Sequence, residues 1–124
     1  MEEEIKALIV DDELDVCFLL SSVLRNKNIW TNCVNSILDA KSALLDKDFS
    51  VVFLDNRLPD GLGLNFVEEI KRIRPGIKII MITAHDTKTD KEEAYQCGVD
   101  LFIGKPFNRD IIYNSLKMLI SRKV

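Results

Sequence analysis

Short apolar segments alternate with longer segments of helical character along the chain. Compact apolar runs occupy 5–10, 51–54, 77–82 and 100–103, and a looser alternating run occupies 30–34. Runs of this length with turn residues beside them predict strands. The intervening and final segments predict helices over 14–26, 37–46, 64–73 and 87–97, and from the capping residue Asn108 to about 122. The chain therefore consists of five strand–helix units.

The composition of the strands indicates how these units pack. The strands lack a polar face, which is typical of parallel strands covered by helices on both sides. Right-handed crossovers between such strands give an α/β fold of three layers, an α/β/α sandwich.

The spacing of apolar residues predicts which face of two helices packs against the sheet. We expect a first-helix stripe of Val16, Leu19, Leu20, Val23 and Leu24, and a second-helix stripe of Leu38, Ala40, Ala43 and Leu44. Leu14 and Phe18 point away from the first stripe, so they either pack on the last helix or form a docking patch. Residues 86–93 contain no large apolar side chain, so the fourth helix, anchored only by Ala94, Tyr95 and Cys97, should be the loosest.

Composition excludes several classes of protein. A length of 124 residues suits one compact domain, and a net charge of -3 argues against a general nucleic-acid or anionic-membrane surface. No apolar run approaches the roughly 20 residues of a membrane span. The odd number of cysteines, Cys17, Cys33 and Cys97, lacks metal-ligand spacing and predicts reduced cytosolic thiols.

Polar residues follow four of the predicted strands. Asp11 and Asp12 follow the first strand, Asp55 the third and Thr83 the fourth, and Lys105 comes shortly after the fifth. Functional groups of parallel sheets gather at the carboxyl ends of the strands, so these side chains should share one site. Three carboxylates, a hydroxyl and an ammonium suit a Mg²⁺ ion and a phosphoryl group.

Four segments around these residues carry a family resemblance: 10–13 (Val-Asp-Asp-Glu), 54–61 (Leu-Asp-Asn-Arg-Leu-Pro-Asp-Gly), 82–84 (Ile-Thr-Ala) and 104–107 (Gly-Lys-Pro-Phe). In this order and spacing, the chain resembles the receiver domain of two-component response regulators. The resemblance implies a five-stranded parallel sheet in the order 2-1-3-4-5 with five helices. It also implies a single receiver domain over 1–124, with a core of about 5–120.

The resemblance implies a role for each site residue. Asp55 would be the phosphoacceptor, and Mg²⁺ would be held by Asp12, Asp55, the backbone carbonyl of Arg57 and, through a water, Asp11. Lys105 and Thr83 would bind the phosphoryl oxygens. Phe102 would change rotamer together with Thr83, and a cis bond before Pro106 would aim Lys105. Arg57 and His85, two positions beyond Asp55 and Thr83, would tune the phosphoryl lifetime in a direction that the sequence does not give; a solvated loop role for His85 stays open.

The implied function is a cytoplasmic phosphoacceptor switch that catalyses only its own phosphorylation and dephosphorylation. Its partners would be a histidine kinase or histidine phosphotransfer protein, docking near Phe107. A downstream effector domain or a homodimer would use helix 4, strand 5 and helix 5, with no direct nucleic-acid binding and no membrane. The chain would be a stand-alone regulator or a fragment of a larger one.

Two alternatives remain open. One is a Mg²⁺-dependent phosphohydrolase with Asp55 as a turnover nucleophile, although the segment Asp55-Asn56-Arg57 lacks the second aspartate usual in that class. The other is an interaction module that works without phosphorylation, which the presence of all five site residues disfavours.

Overall fold

A computed structural model describes residues 4–120 and contains one five-stranded sheet. Its strands are β1 (Lys6–Val10), β2 (Trp30–Val34), β3 (Val51–Leu54), β4 (Lys78–Thr83) and β5 (Leu101–Gly104). All neighbours pair in parallel, in the order β2-β1-β3-β4-β5. The predicted sheet and strand order are confirmed.

Five helices connect and follow the strands. They are α1 (Leu14–Arg25), α2 (Ile37–Asp46), α3 (Val67–Ile73), α4 (Lys88–Gln96) and α5 (Arg109–Leu119). The segment predicted as the start of α3 is a 3-10 helix, Gly63–Phe66, which follows a small antiparallel hairpin of Arg57–Leu58 with Gly61–Leu62. The predicted end of α5 near 122 lies outside the described residues.

The core consists of two apolar clusters, one on each face of the sheet. Alternate residues of β1 show the division, because Leu8 and Val10 belong to one cluster while Ala7 and Ile9 belong to the other. The first cluster includes residues of α2, α3 and α4, and the second includes residues of α1 and α5. The sheet is thus covered on both sides, as its apolar strands predicted.

Some predicted helix faces were wrong. Of the two alternatives for Leu14 and Phe18, packing on the last helix is excluded, because these side chains are 74% and 77% exposed. Leu38, predicted on the packed face of α2, is 68% exposed. The buried residues of α2 are Ala40 and Leu44 of the same predicted stripe. Leu19 is also exposed, and Cys17 takes its place on the packed side of α1. The predicted stripes were wider than the surface that the sheet covers.

The prediction of three reduced thiols was wrong for two of them. Cys17 on α1 and Cys33 on β2 are joined as a disulfide with their Cα atoms 6.1 Å apart, while Cys97 is free and exposed. The chain returns from α1 directly into the strand beneath it, and this crossover brings together two residues that are 16 apart in sequence.

Helix α4 has few anchors. Ala94 is its one buried residue, whereas Cys97 is exposed and Tyr95 is about half exposed. Its start is fixed locally by a capping box, in which Thr87 and Asp90 bind each other's backbone amides. Among residues 4–120, no helix has the length and apolar character needed to cross a membrane.

Candidate functional site at the carboxyl edge of the sheet

Backbone hydrogen bonds fix the positions of the site residues. The amide of Asp11 donates to the Val34 carbonyl at 3.0 Å, and the amide of Asp55 donates to the Val10 carbonyl at 2.9 Å. Both bonds extend the sheet ladder one residue beyond β1 and β3. On the other side of β3, the amide of Lys105 donates to the Thr83 carbonyl at 2.9 Å. The sheet itself therefore brings the predicted residues to one edge.

The three predicted carboxylates form one cluster. An oxygen of each of Asp11, Asp12 and Asp55 lies within 4.8 Å of the others, and Asp11 and Asp55 are buried while Asp12 is exposed. Burial, followed by the charge of Asp11, raises the pKa of Asp55 to about 6. Burial also raises the pKa of Asp11 above its usual range. Clustered carboxylates of this kind favour a bound cation.

Lys105 supplies a positive charge to this cluster. Its Nζ lies 3.0 Å from Asp11 Oδ2, 2.9 Å from Glu13 Oε1 and 3.6 Å from Asp55 Oδ2. Burial alone would lower the pKa of Lys105, but the hydrogen bonds to Glu13 and Asp11 outweigh it, so the pKa is raised and the ammonium stays charged. The ammonium is therefore held next to the predicted acceptor.

The contact between Glu13 and Lys105 was missed by sequence reasoning. Glu13 belongs to the motif after β1, and its amide donates to Asp11 Oδ1 at 2.9 Å. Its carboxylate reaches Lys105, which is 92 residues away in sequence. Lys105 thus shares its charge between the cluster and a solvent-facing carboxylate. The two residues follow β1 and β5, which are not neighbours in the sheet, so no local pattern indicates this pairing.

Thr83 is buried beside the cluster, and its hydroxyl accepts a hydrogen bond from the His85 amide at 3.3 Å. The side chains of His85 and Arg57 are exposed. Both residues border the same pocket as Asp55. The residues that line this pocket are Asp12, Glu13, Asp55, Arg57, Thr83, Ala84, His85 and Lys105.

The loop after Asp55 is held by contacts that the sequence analysis did not identify. The Gly63 amide donates to the Asn56 carbonyl at 2.7 Å, and the Leu64 amide donates to Asn56 Oδ1 at 2.9 Å. A Cβ atom on Gly63 would clash with the backbone oxygen of Asp55, so no other residue fits there without movement of the loop. Gly63 therefore allows the chain to pass directly behind Asp55.

Asp60 connects the same loop to α2. Its carboxylate accepts hydrogen bonds from the Ile37 and Leu38 amides at 2.9 and 3.0 Å. These two bonds lower the pKa of Asp60 below its usual range. Asp60 thus caps a helix that lies more than twenty residues earlier in the chain.

Two predicted residues, Pro106 and Phe102, are not among the carboxylates of the acidic cluster. The bond between Lys105 and Pro106 is cis. Phe102 is partly buried against the core cluster that includes α2, α3 and α4, and its amide donates to the Tyr95 hydroxyl at 3.1 Å. Phe102 is thereby connected to α4.

Comparisons with known proteins agree with this arrangement. Residues 7–117 match the family described as response regulator receiver domain. The chain belongs to the receiver-domain family of response regulators.

Individual relatives support the assignment. The receiver is 32% identical to the response regulator protein PilR of Pseudomonas aeruginosa over 117 residues, which is 91% of this chain and 26% of PilR. It is similar to a two-component response regulator from Clostridium difficile, with a TM-score of 0.91, 25% identity and coverage of 96% and 98% of the two chains. The beryllofluoride-activated NtrC4 receiver domain dimer is also similar, with a TM-score of 0.88, 28% identity and coverage of 94% and 96%.

The receiver spans about a quarter to a half of the length of the curated relatives that it matches. Family membership makes it a signalling domain of two-component systems rather than a conventional enzyme.

Proposed function

We propose that this receiver is a switch that accepts a phosphoryl group on Asp55. The observation that carries the proposal is the position of the Asp55 carboxylate, which is buried, 3.6 Å from the Lys105 ammonium and clustered with Asp11 and Asp12. The pKa of Asp55, about 6, leaves the carboxylate ionised and nucleophilic near neutral pH.

The donor set fits Mg²⁺. Three carboxylate oxygens within 4.8 Å of one another match the preference of this ion for a few hard oxygen ligands together with water. Asp12, Asp55 and the Arg57 carbonyl would hold the ion directly, and Asp11 would act through a water. When bound, the ion neutralises negative charge at the site of transfer.

The side chains of Asp55, Lys105 and Thr83 would carry out the transfer itself. An oxygen of Asp55 attacks phosphorus, the bond from phosphorus to the donor's nitrogen or oxygen breaks, and an acyl phosphate forms. The Lys105 ammonium then pairs with one phosphoryl oxygen, and the Thr83 hydroxyl donates to another. Lys105 must leave Glu13 to do so fully, and Thr83 must turn from the His85 amide. Arg57 and His85, which border the pocket, would set how readily water reaches the acyl phosphate.

The response would travel from Thr83 to the surface formed by α4, β5 and α5. Thr83 is separated from α4 only by residues 84–87, and α4 buries little more than Ala94, so it can shift at low cost. Phe102 would change rotamer with Thr83, and because its side chain packs against the core cluster that includes Ala94, this change would alter the packing of α4. The activated NtrC4 receiver is described as a dimer. We propose that this surface likewise binds a second receiver or an effector domain.

The phosphodonor would bind on the opposite side of the site. Leu14 and Phe18 are exposed on α1, and Leu19 lines an apolar groove with Pro106 and Phe107 beside Lys105. A histidine kinase or histidine phosphotransfer protein docked there would present its phosphohistidine to Asp55. The net charge of -3 favours such a protein partner over direct binding of nucleic acid. We expect the receiver to act in the cytoplasm, without a membrane contact.

The experiment is a time course with acetyl phosphate or phosphoramidate and Mg²⁺, followed by intact-mass spectrometry and release of inorganic phosphate. A receiver gains one phosphoryl group in a burst and then releases phosphate only slowly. EDTA should prevent the gain. Rapid multiple turnover without an accumulated phosphoprotein would instead identify a phosphohydrolase.

A further inference from the structure

The Cys17–Cys33 pair has no part in the proposed phosphoryl transfer, yet it lies next to the backbone of Asp11. The Sγ atom of Cys17 is 3.5 Å from the carbonyl oxygen of Asp11. On the other side, Cys33 immediately precedes Val34, whose carbonyl accepts the Asp11 amide at 3.0 Å. The two cysteines therefore flank a residue of the acidic cluster without touching its carboxylate.

The pair also connects two elements at the edge of the fold. Cys17 lies on the packed side of α1, and Cys33 lies on β2, the edge strand, which pairs only with β1 among the described strands. A Cα separation of 6.1 Å falls within the range that a disulfide spans. A pocket on the outer side of α1, bordered by Leu14, Phe18 and Ser21, reaches Cys17. Small oxidants and reductants thus have a route to the pair.

We propose that Cys17 and Cys33 form a redox-sensitive dithiol site that is closed by a hydroperoxide and reopened by a dithiol reductant. One thiolate attacks the peroxide oxygen, which gives a sulfenic acid and water. The second thiol attacks the sulfenic sulfur, the bond from that sulfur to oxygen breaks, and the hydroxide leaves with the thiol proton as a second water, so two thiols and one hydrogen peroxide give one disulfide and two waters. Reopening is thiol–disulfide exchange, in which the dithiol reductant becomes a disulfide and both cysteines regain their protons. Disulfides in a reducing compartment are usually transient and redox-sensing, so this inference rests on the proposed cytoplasmic function.

Closure of the site ties the first helix to the edge strand. A cross-link over a loop of 16 residues restricts the unfolded chain and raises the melting temperature, by roughly 10 °C for a domain of this size. Neither sulfur contacts Asp55, Thr83 or Lys105 in the hydrogen bonds and ion pairs of residues 4–120. Both redox states should therefore still accept a phosphoryl group.

The test compares reduced protein with protein treated with hydrogen peroxide after the reductant has been removed. Each sample is quenched in acid, denatured and alkylated with a maleimide, and its intact mass is measured. Of the three cysteines, all should be alkylated in the reduced sample and only Cys97 in the oxidised one. Peptide mapping should find Cys17 linked to Cys33, and the oxidised form should melt roughly 10 °C higher.

Variants separate the pair from other thiol chemistry. Cys97→Ser should keep the full shift in melting temperature, whereas Cys33→Ser and Cys17→Ser should each lose it. The proposal is overturned if peroxide leaves all three thiols free, links Cys97 instead, or closes the pair with no change in melting temperature. It is also overturned if a dithiol reductant cannot reopen the bond in the folded protein. Labelling with acetyl phosphate is measured in both redox states, so that failure of the proposed phosphoryl transfer can be distinguished from failure of the redox proposal.

Discussion

Replacing Asp55 with asparagine should stabilise the metal-free receiver, although it removes the proposed phosphoacceptor. Asp55 is buried in a cluster with Asp11, and its pKa is raised from 3.8 to about 6. A raised carboxyl pKa means that the folded protein disfavours the ionised form. The cost is absent well below pH 3.8, where the carboxyl is protonated in both the folded and the unfolded state, and it grows as the pH rises through 3.8 to about 6.

The size of this cost follows from the shift. One pKa unit corresponds to about 1.4 kcal/mol, so ionised Asp55 lowers the free energy of unfolding by roughly 3 kcal/mol at neutral pH. Asparagine has nearly the same shape and no charge. The shift is already net of the attraction of Lys105 and of the hydrogen bonds from the Arg57 and Asn56 amides, but an asparagine side chain has only one oxygen to accept such bonds, which reduces the gain. We therefore expect Asp55→Asn to gain about 1–3 kcal/mol.

The assay is urea unfolding in EDTA, followed by circular dichroism and by fluorescence of the single tryptophan, Trp30. The gain from Asp55→Asn should be full at about pH 7.5 and should shrink toward about pH 4.5, where the wild-type carboxyl is largely protonated in the folded state. Asp46→Asn, at an exposed carboxylate, is the matched control and should change stability by less than about 0.5 kcal/mol. A variant no more stable than wild type at about pH 7.5, or a gain independent of pH, would refute the electrostatic reasoning.

Three further predictions concern the groups around Asp55. Lys105→Ala should still bind Mg²⁺ but show much smaller amide chemical-shift changes with beryllofluoride, and a full wild-type response would exclude the coupling role of Lys105. Gly63→Ala should lose about 1–3 kcal/mol of stability and most acetyl-phosphate labelling because its Cβ meets the Asp55 backbone, whereas Gly76→Ala, with open space around it, should lose neither. Amides of 86–91 should exchange faster than those of β3 and slow with beryllofluoride; exchange as slow as in β3 and unchanged by the mimic would contradict a loose α4.

The sheet and several of its connections were predictable because each depends on a local pattern. The bounds of β2, α2 and β3 agree with the apolar runs and caps in the sequence. β4 and β5 each begin and end one residue later than predicted, since strand ends depend on hydrogen bonds with neighbouring strands. The grouping of Asp11, Asp55, Thr83 and Lys105 follows from the parallel sheet, because the carboxyl ends of its strands lie at one edge.

Other features depend on how separate elements meet, which no local pattern contains. Three contacts join different elements of the fold: the ion pair of Glu13 with Lys105, the cap of α2 by Asp60 and the pairing of Cys17 with Cys33. The exposure of Leu19 and Leu38 has the same origin. Helical spacing shows that an apolar side chain can face the sheet, but the width of the neighbouring surface decides whether it is covered.

The most direct test of the account is to locate the phosphoryl group. The receiver is labelled with acetyl phosphate and Mg²⁺, reduced with borohydride to convert an acyl phosphate into a stable alcohol, and digested for peptide mass spectrometry. We predict one modified residue, Asp55, and no modification in Asp55→Asn or in the presence of EDTA. Equal labelling of Asp55→Asn, or an acyl phosphate at Asp11 or Asp12 in the wild-type protein, would contradict the assignment of Asp55 as the phosphoacceptor.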